Sequence, residues 1–117
     1  MTFDERIEKL NNMIADARRI VFFTGAGIST GSGIPDFRSF NGLYNTSENA
    51  NPEYMLSADC LYREPAKFYK YLREHMDFSK AEPNIAHRVI SDLQLTRTVS
   101  IITQNIDGLH EKAGSKT

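Results

Sequence analysis

The first apolar residues of the chain recur at intervals of three and four, which is the spacing of one face of a helix. Thr2 and Glu5 have the Thr-x-x-Glu spacing of a capping box. The pattern therefore predicts an amphipathic helix over roughly residues 4–16. The residues on its apolar side are Phe3, Ile7, Leu10, Ile14 and Ala17.

A short continuous apolar run at residues 20–23 and a second, largely apolar segment at residues 99–103 predict strands. The first reads IVFF and the second VSIIT, and both are rich in residues that favour strands. In the first of them, continuous rather than alternating apolar residues indicate a strand that is buried on both faces, as in a parallel sheet. A long helical crossover joins the runs, so we expect parallel strands with a right-handed connection.

The segment between the strands begins with a glycine-rich polar stretch and continues with two helices. Residues 25–51 predict a functional loop, because structureless connections of this length are uncommon. Pro65 is expected in the first turn of one helix, and a second helix is expected over residues 84–95. The expected core residues are Phe68, Leu72 and Met76 of the first helix and Ile85, Val89, Ile90 and Leu93 of the second.

This order of elements predicts an α/β fold, an incomplete Rossmann-like parallel sheet flanked by helices. Both polar stretches then leave the carboxyl edge of the sheet, where open α/β sheets bind their ligands. With 117 residues the chain is short for covering both faces of such a sheet. We therefore expect poorly covered apolar faces on the two strands, which favours either association of the chain with itself or partial disorder.

Composition narrows the classes of partner and the compartment. The 14 basic and 15 acidic residues give a net charge of -1, so the chain lacks a bulk attraction to nucleic acid or anionic lipid. No secretory signal and no apolar run of membrane-spanning length occurs, and we expect a cytoplasmic protein that binds neither nucleic acid nor membrane. Cys60 is the only cysteine, which excludes a cysteine-based zinc cluster within this sequence, and it is expected to be a small, partly buried apolar residue.

Gly25, Ala26 and Gly27 follow the first predicted strand and are candidates for binding a pyrophosphate. Glycines at this point permit a tight turn and a close approach of backbone N–H groups to phosphates. Thr30 occupies the third glycine position of GxGxxG, and no acidic residue ends a second strand about 20 residues later, which disfavours a hydride-transfer dehydrogenase. No GxxxxGK[ST] sequence supports ATP or GTP hydrolysis. A simple strand-to-loop turn is the alternative.

The sequence PDFR, residues 35–38, follows the glycines. Phe37 beside Arg38 suits a ligand that has both a ring and a charged bridge, and Asp36 belongs to the same candidate set. A core Phe beside a surface Arg is the alternative.

The sequence QNID, residues 104–107, directly follows the second predicted strand. Asp107 could accept a hydrogen bond from a carboxamide, while Gln104 and Asn105 could bind ribose hydroxyls. The same residues could instead cap a helix expected over residues 108–113.

The three histidines are expected outside the chemistry. His75 lies near the predicted end of a helix, where a solvated imidazole is favoured. His87 is expected to be a hydrogen-bonded packing residue. His110 lies one turn into a helix, which argues against a general base.

Three motifs carry a resemblance to a known family: GAGISTGSGIPDFRS at residues 25–39, PNIAH at 83–87 and TQNIDGLHEKAGS at 103–115. With them the chain resembles the sirtuins over essentially its whole length. It corresponds to the amino-terminal half of a sirtuin catalytic domain. The resemblance implies one partial NAD-binding catalytic domain over residues 1–117, without the later strands and the zinc-binding module.

The activity that the resemblance implies is NAD-dependent deacylation of protein lysine. In sirtuins the acyl group of an acetylated lysine passes to ADP-ribose and nicotinamide is released, so NAD is the implied cofactor. The implied cofactor-binding residues come from both polar stretches. In the first, Ala26 and Thr30 would lie against NAD, Arg38 would lie nearby, Phe37 would shield the anomeric carbon, and Gly25, Gly27 and Asp36 complete the set. In the second, Gln104 would bind ribose, Asn105 would orient the ribose and a water, and Ile106 with Asp107 would hold the carboxamide.

The match to the sirtuin pattern ends before the family's general-base histidine and its zinc-binding cysteines. Of the catalytic residues only Asn105 falls within the sequence, and zinc is expected only in the missing carboxyl-terminal part. We therefore predict that the chain by itself is inactive. The alternative is a non-catalytic protein that binds NAD or ADP-ribose. Sirtuins that prefer succinyl or malonyl lysine carry Tyr-x-x-Arg where this chain has Tyr69 and Leu72, which predicts a preference for acetyl or another neutral acyl group.

Overall fold

Over the residues that the structure describes, the protein is an α/β chain built on a two-stranded parallel sheet. The computed structural model describes residues 1–36 and 52–117. The elements, numbered in chain order over these residues, are α1 (Phe3–Asp16), β1 (Arg19–Thr24), α2 (Ala26–Ser29), a 3₁₀ turn (Thr30–Ser32), α3 (Pro52–Met55), α4 (Ala58–Arg63), α5 (Pro65–His75), α6 (Ile85–Leu93), β2 (Thr98–Thr103) and α7 (Leu109–Lys112).

Helix α1 confirms the prediction made from the first apolar residues. The Thr2 hydroxyl accepts from the Glu5 N–H at 3.1 Å, and the Glu5 carboxylate accepts from the Thr2 N–H at 2.8 Å, which closes the capping box. None of the residues in α1 is buried, so its apolar side faces solvent.

Strands β1 and β2 pair in parallel, as predicted, with Arg19 opposite Thr98 and Thr24 opposite Thr103. The ladder runs one residue further, because the Gln104 N–H donates to the Thr24 carbonyl at 3.0 Å. The two segments that follow the strands therefore leave the sheet at the same edge. This places residues that are about 80 positions apart in the sequence side by side.

The prediction that strand β1 is buried on both of its faces is wrong. Val21 is 63% exposed, Phe23 68% and Ile102 56%, while Ile101 between them is buried. Exposure alternates along each strand, so one face of the described sheet is covered and the other is open. This agrees with the expectation of poorly covered apolar faces; association of the chain with itself stays a prediction.

The polar stretch after β1 is more ordered than a continuous loop. Its described part contains α2 and the 3₁₀ turn, and it continues into residues 37–51, which lie outside the described residues. Helices α3 and α4 were not predicted, because each is shorter than two turns and too short for an apolar period. Their sequence signals are Pro52 in the first turn of α3 and Ser57, whose hydroxyl accepts from the Cys60 N–H at 3.1 Å.

Helix α5 begins at Pro65 as predicted, but Phe68, Leu72 and Met76 are only half-buried; the buried residue of this helix is Tyr71. These three residues therefore do not form a closed core. Cys60 is fully buried rather than partly buried. His75 at the end of α5 is exposed, as expected.

Helix α6 is present, but the predicted apolar face is covered only in part: Ile90 is buried and Leu93 is half-buried. Ile85 is 78% exposed and Val89 is also exposed, whereas His87 and Ile90 are buried. Hydrogen bonds at the start of α6 explain why His87 faces the interior. Asn84 caps it, accepting from the Ala86 N–H at 2.9 Å, and the Asn84 N–H donates to His87 Nδ1 at 3.1 Å. This confirms His87 as a hydrogen-bonded packing residue.

Candidate functional site

A cleft of about 600 Å³ lies at the carboxyl edge of the sheet. One wall is the segment that follows β2, and the opposite walls come from α2 and from the end of α5 with the residues after it. The lining residues are Ala26, Ser29, Ile34, Pro35, Leu72, Met76, Asp77, Phe78, Ser79, Gln104, Asn105, Ile106 and Asp107.

Asn105 ties the segment after β2 to the glycine turn after β1. Its side-chain Nδ2 donates to the Gly25 carbonyl at 2.8 Å and lies 3.4 Å from Ser29 Oγ. Its backbone N–H donates to Thr103 Oγ1 at 3.1 Å. The amide is therefore oriented by groups from both strand ends before any ligand arrives.

Asp107 has two partners in the protein. Its Oδ2 accepts from the Ser29 hydroxyl at 2.6 Å, and its Oδ1 accepts from the Leu109 N–H at 3.0 Å. The second bond satisfies a free N–H at the start of α7, so the capping alternative is correct for Asp107. The same carboxylate also lines the cleft, so capping and ligand binding are compatible.

The glycine turn is tight at one position and open at another. A Cβ on Gly25 would lie 3.0 Å from Gln104 Oε1, so Gly25 leaves room for that side chain. A Cβ on Gly27 would meet no atom within 4 Å, so the backbone there can be approached from outside. The Thr30 hydroxyl donates to the Gly27 carbonyl at 3.0 Å and braces the turn.

The far wall of the cleft is mainly apolar. Leu72 of α5 lines it together with Met76 and Phe78, which follow the helix. Ile106, in the segment that follows β2, is 100% exposed. A hydrogen bond from the Ser79 side chain and a second from its backbone N–H lower the pKa of Asp77, whose carboxylate therefore brings a negative charge to this wall.

Two buried histidines lie under the polar residues of the cleft. Thr24 Oγ1 lies 2.8 Å from Thr103 Oγ1 and 2.9 Å from His110 Nε2. The His87 and His110 rings pack edge to face, with centroids 5.1 Å apart. Burial lowers the pKa of His87, the neighbouring His110 lowers it further, and Asp107 opposes the shift.

The structure brings only part of the predicted site together. Of the predicted residues, Ala26, Gln104, Asn105, Ile106 and Asp107 line the cleft. Gly25, Gly27 and Thr30 form the turn beside it, Asp36 is half-buried without lining it, and Phe37 and Arg38 lie outside the described residues.

Sequence reasoning missed Ser29 and the wall formed by α5. Ser29 follows Ala26 by three residues on one helical turn, so a helix at 26–29 would have predicted a shared face. Leu72 and Met76 also have helical spacing, but spacing cannot distinguish a core face from a cleft wall.

The chemistry of the cleft suits a ligand that has both polar and apolar parts. It offers amide groups, two hydrogen-bonded carboxylates and an exposed apolar side chain, and the turn beside it has an open glycine backbone. Among residues 1–36 and 52–117, no group of three or more His, Cys, Asp or Glu side chains is placed to hold a metal ion.

These features define an α/β protein with a cleft at the carboxyl edge of its parallel sheet. A model described as the Sir2 family matches residues 25–117, and the chain belongs to that family. The predicted resemblance to the sirtuins is thereby confirmed.

Known proteins similar to this chain are bacterial deacetylases and Sir2 structures. An NAD-dependent protein deacetylase of Listeria monocytogenes is 56% identical over 110 residues, covering 94% of this chain and 47% of that protein. A mutant Sir2 homologue in complex with ADP ribose superposes with a TM-score of 0.81 at 38% identity, covering 94% of this chain and 44% of that one. A Sir2 bound to acetylated peptide gives a TM-score of 0.76 at 34% identity, covering 95% and 42%.

The chain spans about half the length of the curated relatives that it matches. Within the residues that the structure describes, no helix combines the length and apolar character needed to cross a membrane.

Proposed function

We propose that this chain supplies the NAD-facing part of an NAD-dependent protein-lysine deacetylase. The observation that carries the proposal is the network that joins Asn105 and Asp107 to α2 through Gly25 and Ser29. It holds an amide and a carboxylate in fixed positions on the wall of a cleft in a Sir2-family chain.

The residues at this edge fit the chemistry of NAD. The open backbone at Gly27 would allow a phosphate to approach α2, and Gln104 would meet a ribose. Asp107 would accept from the carboxamide of the nicotinamide, and the exposed Ile106 would cover the apolar side of that ring.

Bound NAD would supply a carbon–nitrogen bond whose cleavage releases nicotinamide and frees the ribose carbon for acyl transfer. The role of this chain is to hold the reacting groups in place with dipoles that are already oriented. Asn105 would orient the ribose and a water. Its side chain is already fixed in position, because its Nδ2 donates to the Gly25 carbonyl. The apolar wall would exclude other water from the reacting centre.

The acyl group that we propose is acetyl or another neutral group. Leu72 lines the cleft where an acidic acyl chain would need a cation, and Asp77 and Asp107 contribute negative charge to the same cleft. A succinyl or malonyl carboxylate would therefore meet an apolar side chain and two like charges.

A chimera provides the test of activity. The 110 matching residues of the Listeria monocytogenes deacetylase would be exchanged for those of this chain, which are 56% identical. We expect NAD-dependent loss of acetyl from an acetyl-lysine peptide and release of nicotinamide, both measured by mass spectrometry. Asn105→Ala should lower the rate about 10²-fold, the cost of removing one preorganised polar group. A folded chimera without activity would overturn the proposal.

The second candidate is a protein that binds NAD or ADP-ribose without catalysis. It is supported by the fixed positions of the Asn105 and Asp107 side chains, which are held by Gly25, Ser29 and Leu109. Calorimetry on the chain alone separates the two. Micromolar affinity for NAD would support a binder. An absence of binding, together with an active chimera, would support a part of a deacetylase, and we expect the chain alone to release no nicotinamide.

A further inference from the structure

A hydrogen-bonded series runs from His110 to the backbone of Asn105. Its members are His110 Nε2, Thr24 Oγ1, Thr103 Oγ1 and the Asn105 N–H, and its three links measure 2.9, 2.8 and 3.1 Å. We call this series the threonine relay. It connects a helix after the cleft with the ends of both strands, and it ends on a residue that lines the cleft.

The protons of the relay have one consistent direction. His110 Nδ1 is buried without a partner among the described residues, and a proton there would be an unsatisfied buried donor, so the proton lies on Nε2 and is donated to Thr24 Oγ1, whose own proton then goes to Thr103 Oγ1. Thr103 Oγ1 then accepts from both Thr24 and the Asn105 N–H. His110 is therefore assigned as the tautomer with its proton on Nε2.

Burial makes these links strong determinants of position. His110 is 1% exposed and Thr24 8%, so water does not compete for the first link. His110 Nδ1 is buried and has no partner among the described residues, which leaves Nε2 as the polar anchor of the ring. The His110 carbonyl accepts from the Ser115 N–H at 3.0 Å, which holds the residue from its other side.

We propose that His110 is a positioning residue, which fixes the Asn105 backbone through the threonine relay. The proposal rests on the proposed function, in which Asn105 orients the ribose and a water. His110 does not line the cleft, so it acts through Thr24 and Thr103 rather than on a ligand. This gives a role to a histidine that the sequence had placed outside the chemistry.

Shape-matched variants separate this role from simple packing. His110→Phe keeps a ring and removes the donor, whereas His110→Gln keeps an N–H near the same place. Thr24→Val removes the hydroxyl at almost constant volume, and Thr24→Ser keeps it. Thr98→Val at the opposite end of β2 is the matched control for a threonine-to-valine change in the same sheet.

The experiment is nuclear magnetic resonance on the labelled chain. Imidazole nitrogen shifts give the tautomer of His110, and amide hydrogen exchange reports on the Asn105 N–H. We expect the Nε2–H tautomer. We expect amide exchange of Asn105 to accelerate about five- to tenfold in His110→Phe and Thr24→Val, which is the loss of about one neutral hydrogen bond. His110→Gln, Thr24→Ser and Thr98→Val should stay within about twofold of the unmodified chain.

An Nδ1–H tautomer, or unchanged Asn105 exchange in both His110→Phe and Thr24→Val, would overturn the proposal. If one of these variants fails to fold, the other variant and the tautomer of the unmodified chain still decide. A titration with ADP-ribose in the same samples tests the proposed function separately. If the unmodified chain binds no ADP-ribose and the chimera is inactive, the proposed function fails. The tautomer of His110 and the amide exchange rate of Asn105 still test the threonine relay.

Discussion

Replacing Asp107 by alanine should destabilise the chain through two defined hydrogen bonds. The change removes the acceptors of the Ser29 hydroxyl at 2.6 Å and of the Leu109 N–H at 3.0 Å. A hydrogen bond to a charged group contributes about 1.5–3 kcal/mol, and Asp107 is half-buried, so we take the lower end for each. The expected loss is about 3 kcal/mol in the free energy of unfolding. Asp107→Asn keeps an acceptor for Leu109 and should cost about half as much.

Urea unfolding followed by circular dichroism measures these losses. The control is Asp92→Asn at an exposed position of α6, which should stay within about 0.5 kcal/mol of the unmodified chain. Ser29→Ala combined with Asp107→Asn forms a double-mutant cycle, in which the two residues should couple by about 1 kcal/mol or more. The reasoning is refuted if Asp107→Ala costs less than about 0.5 kcal/mol, or if the Ser29 and Asp107 changes are additive.

Three further predictions address the turn, the buried histidine and the acyl group. Gly25→Ala should leave the urea midpoint nearly unchanged. It should weaken NAD binding by the chimera about three- to tenfold in calorimetry, because the new Cβ would displace the Gln104 side chain. An unchanged affinity for NAD would contradict this. The pKa of His87 lies below its usual 6.5 in the folded chain, so the unfolded chain binds more protons in acid. The contribution of His87 to stability is therefore full above about pH 6.5 and falls below that pH by at most about 1.4 kcal/mol per pH unit. A His87→Gln variant whose urea midpoint has the same pH dependence as the unmodified chain would contradict this. Leu72→Arg in the chimera should raise turnover of a succinyl-lysine peptide relative to an acetyl one, and an unchanged ratio would contradict the proposed acyl preference.

Local patterns predicted the elements whose signals are local. The capping box of Thr2 and Glu5, Pro65 at the start of α5 and the apolar runs of β1 and β2 each act over a few residues, and each element formed where expected. Parallel pairing then followed from the crossover, and it placed the two polar stretches at one edge.

Side-chain burial depended on tertiary contacts that no local pattern contains. Asn84 donates to the Ile28 carbonyl at 2.7 Å and to Ser32 Oγ at 3.0 Å, and these bonds fix the rotation of α6, which turns His87 inward and leaves Ile85 in solvent. The apolar sequence IVFF predicts a strand that is buried on both faces, yet Phe23 is exposed. Burial depends on which layers pack against the sheet, and the strand sequence does not contain that information.

The candidate site was predictable where polar side chains directly follow a predicted strand. Asn105 and Asp107 follow a strand directly and do line the cleft. Ser29 was missed because a serine after glycines reads as a turn residue, and its bond to Asp107 spans 78 positions in the sequence.

In the proposed function, the cleft between α2 and the segment after β2 holds NAD. Hydrogen–deuterium exchange of the chimera with and without NAD tests it most directly. We predict that NAD slows exchange of the backbone amides at residues 25–27 and 104–107, and that Asn105→Ala weakens this protection. If NAD protects neither segment while the chimera still binds it, the cleft is not the NAD site and the account is wrong.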